Sequence, residues 1–259
     1  MKDNLKDTTF IIAVRLDSIQ RLENTLIVAK QICRYFDTNV FIAEIADHYN
    51  GILKSLLPRK AKYLFIEDKD YIFYRTKHFN QLTLKVTTPI IALWDTDVVI
   101  DKKAILEAIY NIRTNNADIV YPYNGMFLET SEIIRKYYLK TKDIRMLYRN
   151  ISKLEFLYNQ PMVGGAVFAD RVKYINAGME NEKHYGWGNE DYDRFYRFVG
   201  LNYKIQRVNV PLFHLCHPRG INSQYRSKMF EQISTDEKNK IENCSKEEIE
   251  FCITNNANK

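Results

Sequence analysis

The strongest constraint on this chain is its rhythm: short apolar runs of strand type alternating with stretches of helical periodicity. Thr9 to Val14 reads as a first buried strand, followed by a helix carrying Ile19, Leu22, Leu26, Ala29 and Cys33 on one face. Asp17 or Ser18 can cap that helix. Asn39 to Ile45 and Tyr63 to Ile66 read as further strands, ending near Glu44 and Asp47 and at Glu67-Asp68. A helix over Phe79 to Val86 leads to the strand Ile90-Ile91-Ala92-Leu93-Trp94, and Asp101 caps a helix bearing Ile105, Ile109 and Ile112. Ala117 to Tyr121 returns as a strand. This alternation predicts an α/β fold, a three-layer α/β/α sandwich with a mostly parallel central sheet. Ligands of such sheets bind beyond the carboxyl ends of the strands, where Arg15, Asp17, Glu44, Asp95 and Asp97 fall.

Asp95 and Asp97 follow the most apolar of these strands. Continued alternation would put both carboxylates on one side of the chain, an oxygen pair suited to a hard divalent cation. An Asp-x-Asp pair is also what a helix cap beside a solvated carboxylate looks like, so the motif needs company.

Three later segments supply it. Val163-Gly164-Gly165-Ala166 opens a strand on two glycines, consistent either with close approach of a ligand or with a bulge. His184-Tyr185-Gly186-Trp187-Gly188-Asn189-Glu190-Asp191 sets a tryptophan between glycines and places acids at the start of a helix. Capping by Asn189 accounts for the acids but not for Trp187. His214-Leu215-Cys216-His217 ends an apolar segment with two histidines three apart, either metal ligands or structural imidazoles.

Composition narrows the function classes. The 38 basic and 32 acidic residues leave a net charge of +6, which suits anionic partners, but no nucleic-acid-binding module accompanies it, so no nucleic acid is expected. Four cysteines lack Cys-x-x-Cys spacing and read as apolar fillers. No apolar run reaches membrane-spanning length and Met1-Lys2-Asp3-Asn4 lacks a signal-peptide core, so cytoplasmic residence is the expectation. The basic region from Glu129 to Tyr158 is either a solvated helical face or a docking patch, for an anionic polymer or, over residues 130–150, for a membrane surface. Residues 224–259 read as a polar helical tail without chemistry, with Ser245 and Glu248 forming a capping box. The organisation expected is one domain over 1–223, with a nucleotide-binding half at about 9–121 and an acceptor half at about 122–223.

Taken in order, Asp95-Thr96-Asp97, Gly164-Gly165, Gly186-Trp187-Gly188-Asn189-Glu190-Asp191 and His217 resemble the GT-A-fold glycosyltransferases. The nearest groups are the β-1,4-galactosyltransferases and bacterial chondroitin-polymerase-type domains, whose loop reads Trp-Gly-Gly-Glu-Asp. The resemblance spans about residues 9 to 220 as an ordered set of motifs. It implies that Asp95 and Asp97 bind Mn²⁺ or Mg²⁺, with His217 as the later ligand and His214 its rival. It implies Asp191 as catalytic base and Glu190 as its acceptor-binding neighbour. Arg15, Asp17, Arg21, Arg75, Lys77 and Asn80 would lie about the nucleotide, with Glu44 at the neighbouring strand end. Gly164, Gly165, Trp187, Gly188 and Asn189 would line the sugars. Asn189 replaces the second glycine of the family loop, and a side chain there is expected to narrow the pocket.

The implied activity is inverting transfer of a galactose- or N-acetylhexosamine-type sugar from a UDP-sugar to a glycan or glycolipid hydroxyl, in bacterial surface polysaccharide synthesis. A nucleotide-sugar-binding module without catalysis is the alternative. A nucleotidyltransferase fits less well, because no Gly-rich basic loop follows Val14.

Overall fold

The computed structural model describes residues 2–257. Among these described residues eleven strands form two sheets. The strands are Asp3–Val14 (β1), Phe36–Ala46 (β2), Ala61–Glu67 (β3), Ile90–Trp94 (β4), Val98–Val99 (β5), Ile119–Tyr121 (β6), Phe127–Glu129 (β7), Glu155–Phe156 (β8), Ala166–Asp170 (β9), Ile205–Arg207 (β10) and Leu212–His214 (β11). The helices are Ile19–Tyr35 (α1), Ile52–Leu56 (α2), Arg75–Leu84 (α3), Lys102–Arg113 (α4), Glu132–Thr141 (α5), Ile144–Arg149 (α6), Arg171–Asn176 (α7), Glu190–Gly200 (α8), Lys228–Asn243 (α9) and Lys246–Ala257 (α10).

Seven strands make the main sheet in the order β10-β6-β9-β4-β1-β2-β3, and four make a small sheet in the order β5-β11-β7-β8. In the main sheet β1 pairs in parallel with β2 and β4, whereas β9 runs antiparallel to both β4 and β6. The main sheet is mostly parallel, as expected, and the exception is β9, the strand that follows Gly164-Gly165. β4 is buried along its whole length because it lies in the middle of a sheet covered on both faces, which is why its sequence is a continuous apolar run. Phe10, Trp94 and Phe168, from adjacent strands, meet edge to face with centroids 5.4–5.8 Å apart and anchor the core.

Helix ends follow the side-chain chemistry. Ser18, not Asp17, caps α1 by accepting from Arg21 N–H, and Asp101 caps α4 by accepting from Lys103 N–H. The helix expected over Phe79 to Val86 begins earlier, at Arg75. In the basic region, Arg135 is 1% exposed and donates to Asn24 Oδ1, Gln20 O and Glu23 Oε2, so it ties α5 to α1 rather than facing solvent.

The polar C-terminal segment forms α9 and α10, and both pack back on the domain. α9 packs along α8, and Ile249 of α10 is fully buried against Gly200, where a Cβ would stand 2.3 Å from its Cδ1. The Ser245–Glu248 capping box forms reciprocally.

Candidate active site

Two ladder registers assemble the site. β4 and β9 pair with Trp94 opposite Ala166, and the ladder runs one step further as Asp95 N–H donates to Gly165 O at 2.8 Å. In the small sheet His214 pairs opposite Val98, and Leu215 N–H donates to Asp97 O at 2.8 Å. Asp95 thus sits beside the two glycines and Asp97 beside the histidines. Both acids lie past the end of β4, in the turn to β5. Strand alternation therefore does not place them; the turn sends them to different partners.

Asp97 is 5% exposed and faces both imidazoles, its Oδ1 3.5 Å from His214 Nε2 and its Oδ2 3.2 Å from His217 Nε2. Arg21 Nη1 stands 3.6 Å from Asp97 Oδ2, while Arg21 Nε donates to Asp17 at 2.9 Å. Burial works to raise the Asp97 pKa, but His214, His217 and Arg21 outweigh it and hold the carboxyl well below the usual range. Ligand atoms of Asp97, His214 and His217 all lie within 4.8 Å of one another. One cation would draw all three inward to metal–ligand bonds of about 2.1 Å. His214 and His217 therefore stand together here rather than as rivals. Asp95 does not join this group.

Asp95 instead receives Arg75 Nη2 at 2.8 Å. The other nitrogen, Arg75 Nη1, is 3.5 Å from Asp191 Oδ1 and 3.8 Å from Glu190 Oε1. Burial raises the Asp95 pKa, with Arg75 opposing and the Asp97 and Asp191 carboxylates adding to the rise.

Asp191 and Glu190 open α8, where the helix dipole favours acids. Arg194, one turn on, donates to Asp191 Oδ1 at 2.7 Å, to both Glu180 oxygens at 3.0 Å and to Val163 O at 3.0 Å. Burial pushes the Asp191 carboxyl up, but Arg194 and Arg75 prevail and lower it, so it stands ionised. Glu190 behaves oppositely: burial and the Asp191 charge push its pKa up to about 7 against the pull of Arg75. Its Oε2 is buried without a hydrogen-bond partner.

Gly164 is what lets Asp191 stand there, since a Cβ at 164 would meet Asp191 Oδ2 at 2.3 Å. Gly165 adopts φ +77°, and a Cβ on it would press on Phe127 at 2.8 Å. What approaches the two glycines is the side chains of Asp191 and Phe127, and Gly165 also bends the chain into β9.

One cavity is lined by Arg15, Asp17, Arg21, Arg75, Asp95, Asp97, Gly164, Gly165, Trp187, Gly188, Glu190, Asp191, His214 and His217. The guanidinium nitrogens Arg15 Nη2 and Arg75 Nη1 are buried there without hydrogen-bond partners. Four residues expected at the site lie elsewhere. Glu44 is buried in β2 and accepts from Tyr63 OH at 2.6 Å. Lys77 is on the solvent side of α3, its ammonium 5.9 Å from the Tyr74 ring. Asn80 is buried and binds Glu180 O, Glu180 N–H and Glu182 Oε1, stitching α3 to the segment before the Trp187 loop. Asn189 opens α8 without capping it; its amide donates to Tyr225 OH and Thr235 Oγ1, away from the cavity.

Sequence reasoning missed Arg194 and Glu180, which hold Asp191 in place, and Tyr158 and Tyr192, which line the cavity. Arg194 carried a signal, being three residues after Asp191 on one helix face. The tyrosines had none.

Residues 145–218 match the sequence model of the family described as the N-terminal domain of galactosyltransferase. The matched segment contains Gly164, Gly165, the Trp187 to Asp191 loop and both histidines. Among solved structures, the catalytic domain of Drosophila β1,4-galactosyltransferase 7, in complex with xylobiose, has a similar fold. Its TM-score is 0.52 at 13% identity, over 87% of this chain and 74% of that one. No curated protein matches the chain in sequence. The fold is of GT-A type, and the family match and the fold together support a glycosyltransferase.

Proposed function

We propose that this glycosyltransferase is an inverting, metal-dependent enzyme that moves a galactose- or N-acetylhexosamine-type sugar from a UDP-sugar to a hydroxyl of a glycan or glycolipid, in bacterial surface polysaccharide synthesis. The observation that carries the reading is the meeting in one cavity of two chemically distinct halves: Asp97 with two histidines, and Asp191 at a helix start.

The donor set of one carboxylate and two imidazoles suits Mn²⁺, and Mg²⁺ less well. Asp97, His214 and His217 would hold the ion, which would supply Lewis-acid stabilisation to a departing diphosphate. Arg15 Nη2 and Arg75 Nη1 have ion-pair neighbours, Asp68 for the one and Asp191 with Glu190 for the other, but no hydrogen-bond partner, which leaves their N–H groups for phosphate or sugar oxygens. Asp191, ionised, accepts the proton of the acceptor hydroxyl as its oxygen bonds to the anomeric carbon and the bond to the diphosphate oxygen breaks. One base and one displacement give inversion at that carbon. Glu190, with its free buried oxygen, is suited to hold a second acceptor hydroxyl. Trp187, 36% exposed at the cavity, offers a flat apolar face to an acceptor ring.

The test is direct. Purified protein with a panel of UDP-sugars should bind UDP in calorimetry only with Mn²⁺, and Asp97→Asn should abolish that binding. Asp191→Asn should keep it and lose sugar transfer. Metal-independent UDP binding, or transfer that survives Asp191→Asn, would refute the assignment; a module without catalysis would bind UDP and transfer nothing.

A peripheral contact through residues 130–150 belongs to the same proposal. Lys136 and Lys140 flank Ile133 and Tyr137 on α5, and the two apolar side chains are 80% and 54% exposed. Co-sedimentation with anionic but not zwitterionic vesicles tests it. Among the described residues no helix is long and apolar enough to cross a membrane.

A further inference from the structure

Behind the Trp187 loop, away from the cavity, three buried side chains stand in line. His184 Nε2 is 3.0 Å from Asp193 Oδ2, and His184 Nδ1 is 2.9 Å from Ser234 Oγ. Their exposures are 1%, 0% and 5%. Asp193 also receives Arg197 and Asn181, so its carboxylate is ionised and has only acceptor capacity. In the neutral imidazole His184 Nε2 then carries the proton and Nδ1 accepts from the Ser234 hydroxyl. Ser234 Oγ in turn accepts from the backbone N–H of Asn189 at 3.0 Å. The chain of bonds runs from Asp193 through His184 and Ser234 to the peptide between Gly188 and Asn189.

Serine, histidine and aspartate in this order resemble a hydrolytic triad, but such a serine needs an open path to substrate. Ser234 has none: it does not line the cavity, and its oxygen is occupied by the Asn189 N–H. The loop is packed onto it instead. A Cβ at Gly188 would stand 2.6 Å from Ser234 Oγ and 2.9 Å from Tyr225 Cε1. The Asn189 amide reaches Tyr225 OH and Thr235 Oγ1, and the Tyr225 ring meets Trp187 edge to face with centroids 5.2 Å apart.

We propose that Ser234, on α9, is a positioning residue for this reaction: linked to the buried His184–Asp193 pair and holding the Asn189 N–H, it sets where Trp187 and Asp191 stand against the acceptor. Gly188 and Asn189 lie between those two residues, so fixing their peptide fixes both. α9 thereby belongs to the catalytic apparatus although its sequence is polar and carries no motif.

This role rests on the transferase reading, so the test includes a measurement that does not. In the full chain, Ser234→Ala should raise acrylamide quenching of tryptophan fluorescence, because Trp187 loosens while Trp94 stays 2% exposed. It should speed amide exchange over residues 186–191. Transfer kcat should fall about tenfold, as expected for loss of one orienting buried hydrogen bond, with Mn²⁺-dependent UDP affinity unchanged. Ser234→Thr, which keeps the hydroxyl, should restore most of kcat, and Gln232→Ala, exposed on the same helix, should behave as wild type. Unchanged quenching and exchange in Ser234→Ala would overturn the proposal. So would a lowered melting temperature with kcat unchanged in the folded protein, or labelling of Ser234 by a fluorophosphonate probe. If the wild type transfers no sugar, the transferase reading fails, and the quenching and exchange measurements still decide whether Ser234 orders the loop.

Discussion

Replacing Gly164 by alanine tests the position of Asp191 with a single methyl group. Gly164 lies outside the left-handed region, so alanine carries no backbone penalty there, but its Cβ would stand 2.3 Å from Asp191 Oδ2 and 3.0 Å from Cγ. Ordinary carbon–oxygen contact begins near about 3.3 Å, so the carboxylate must retreat by roughly 1 Å. It cannot do so freely. Arg194 grips Oδ1 at 2.7 Å and is itself fixed by Glu180 and Val163 O. A misplacement of about 1 Å at a reacting group costs about a hundredfold in rate. Overpacking adds a stability loss of about 1–3 kcal/mol, or about 2–12 °C in Tm for a chain of this size. The assay is initial transfer rate against donor and acceptor concentration, with UDP calorimetry on the same preparation. We expect kcat to fall about a hundredfold, with UDP affinity held within about twofold because Asp97 and the histidines are untouched. A folded variant with wild-type kcat would refute the claim that the rate depends on where Asp191 stands.

Three further outcomes are expected. Arg194→Met leaves the buried Glu180 short of a cationic partner and the half-buried Asp191 with Arg75 alone, and should cost about 3–5 kcal/mol, read as a shift in the urea midpoint. The raised pKa of Glu190, about 7 against an ordinary 4.5, means the folded state holds a proton that the unfolded state releases between those values. Its contribution is therefore present at low pH and lost as pH rises from 4.5 to 7, by at most about 3 kcal/mol. Glu190→Gln should flatten that slope in urea titrations at pH 5 and 7.5, and an unchanged slope would contradict it. Asn189→Gly should leave the donor preference untouched, because the side chain faces Tyr225 and Thr235, while losing about 1 kcal/mol per hydrogen bond in thermal unfolding. A changed donor preference would show that residue 189 reaches the pocket after all.

Much of the site was legible because its motifs are contiguous. Glu190 and Asp191 at a helix start, Gly164-Gly165 before a strand, and two histidines three apart each carry a local signature. The resemblance set both carboxylates beside His217, and their separation was not legible. Asp95 and Asp97 are one residue apart and look equivalent as a pair, yet one answers to Arg75 and the other to His214 and His217. Glu44 and Asn80 looked equally suited to a nucleotide, and tertiary contacts with Tyr63 and with Glu180 and Glu182 claim them instead. Asn189 read as a cap or as a pocket wall; α9, which showed no motif, drew its side chain the other way.

Secondary structure and the inventory of reactive groups follow from the chain alone, because apolar periodicity and short motifs act over one turn or one strand. The sheet order, the antiparallel β9 and the meeting of Asp97 with histidines more than a hundred residues away do not. They depend on ladder register, where a shift of one residue turns each side chain to the other face. The loop that bears Asp191 is further held by Ser234 and Tyr225, whose importance lies only in what packs against them. Local physics supplied the parts of this site, and long-range packing chose which of them touch.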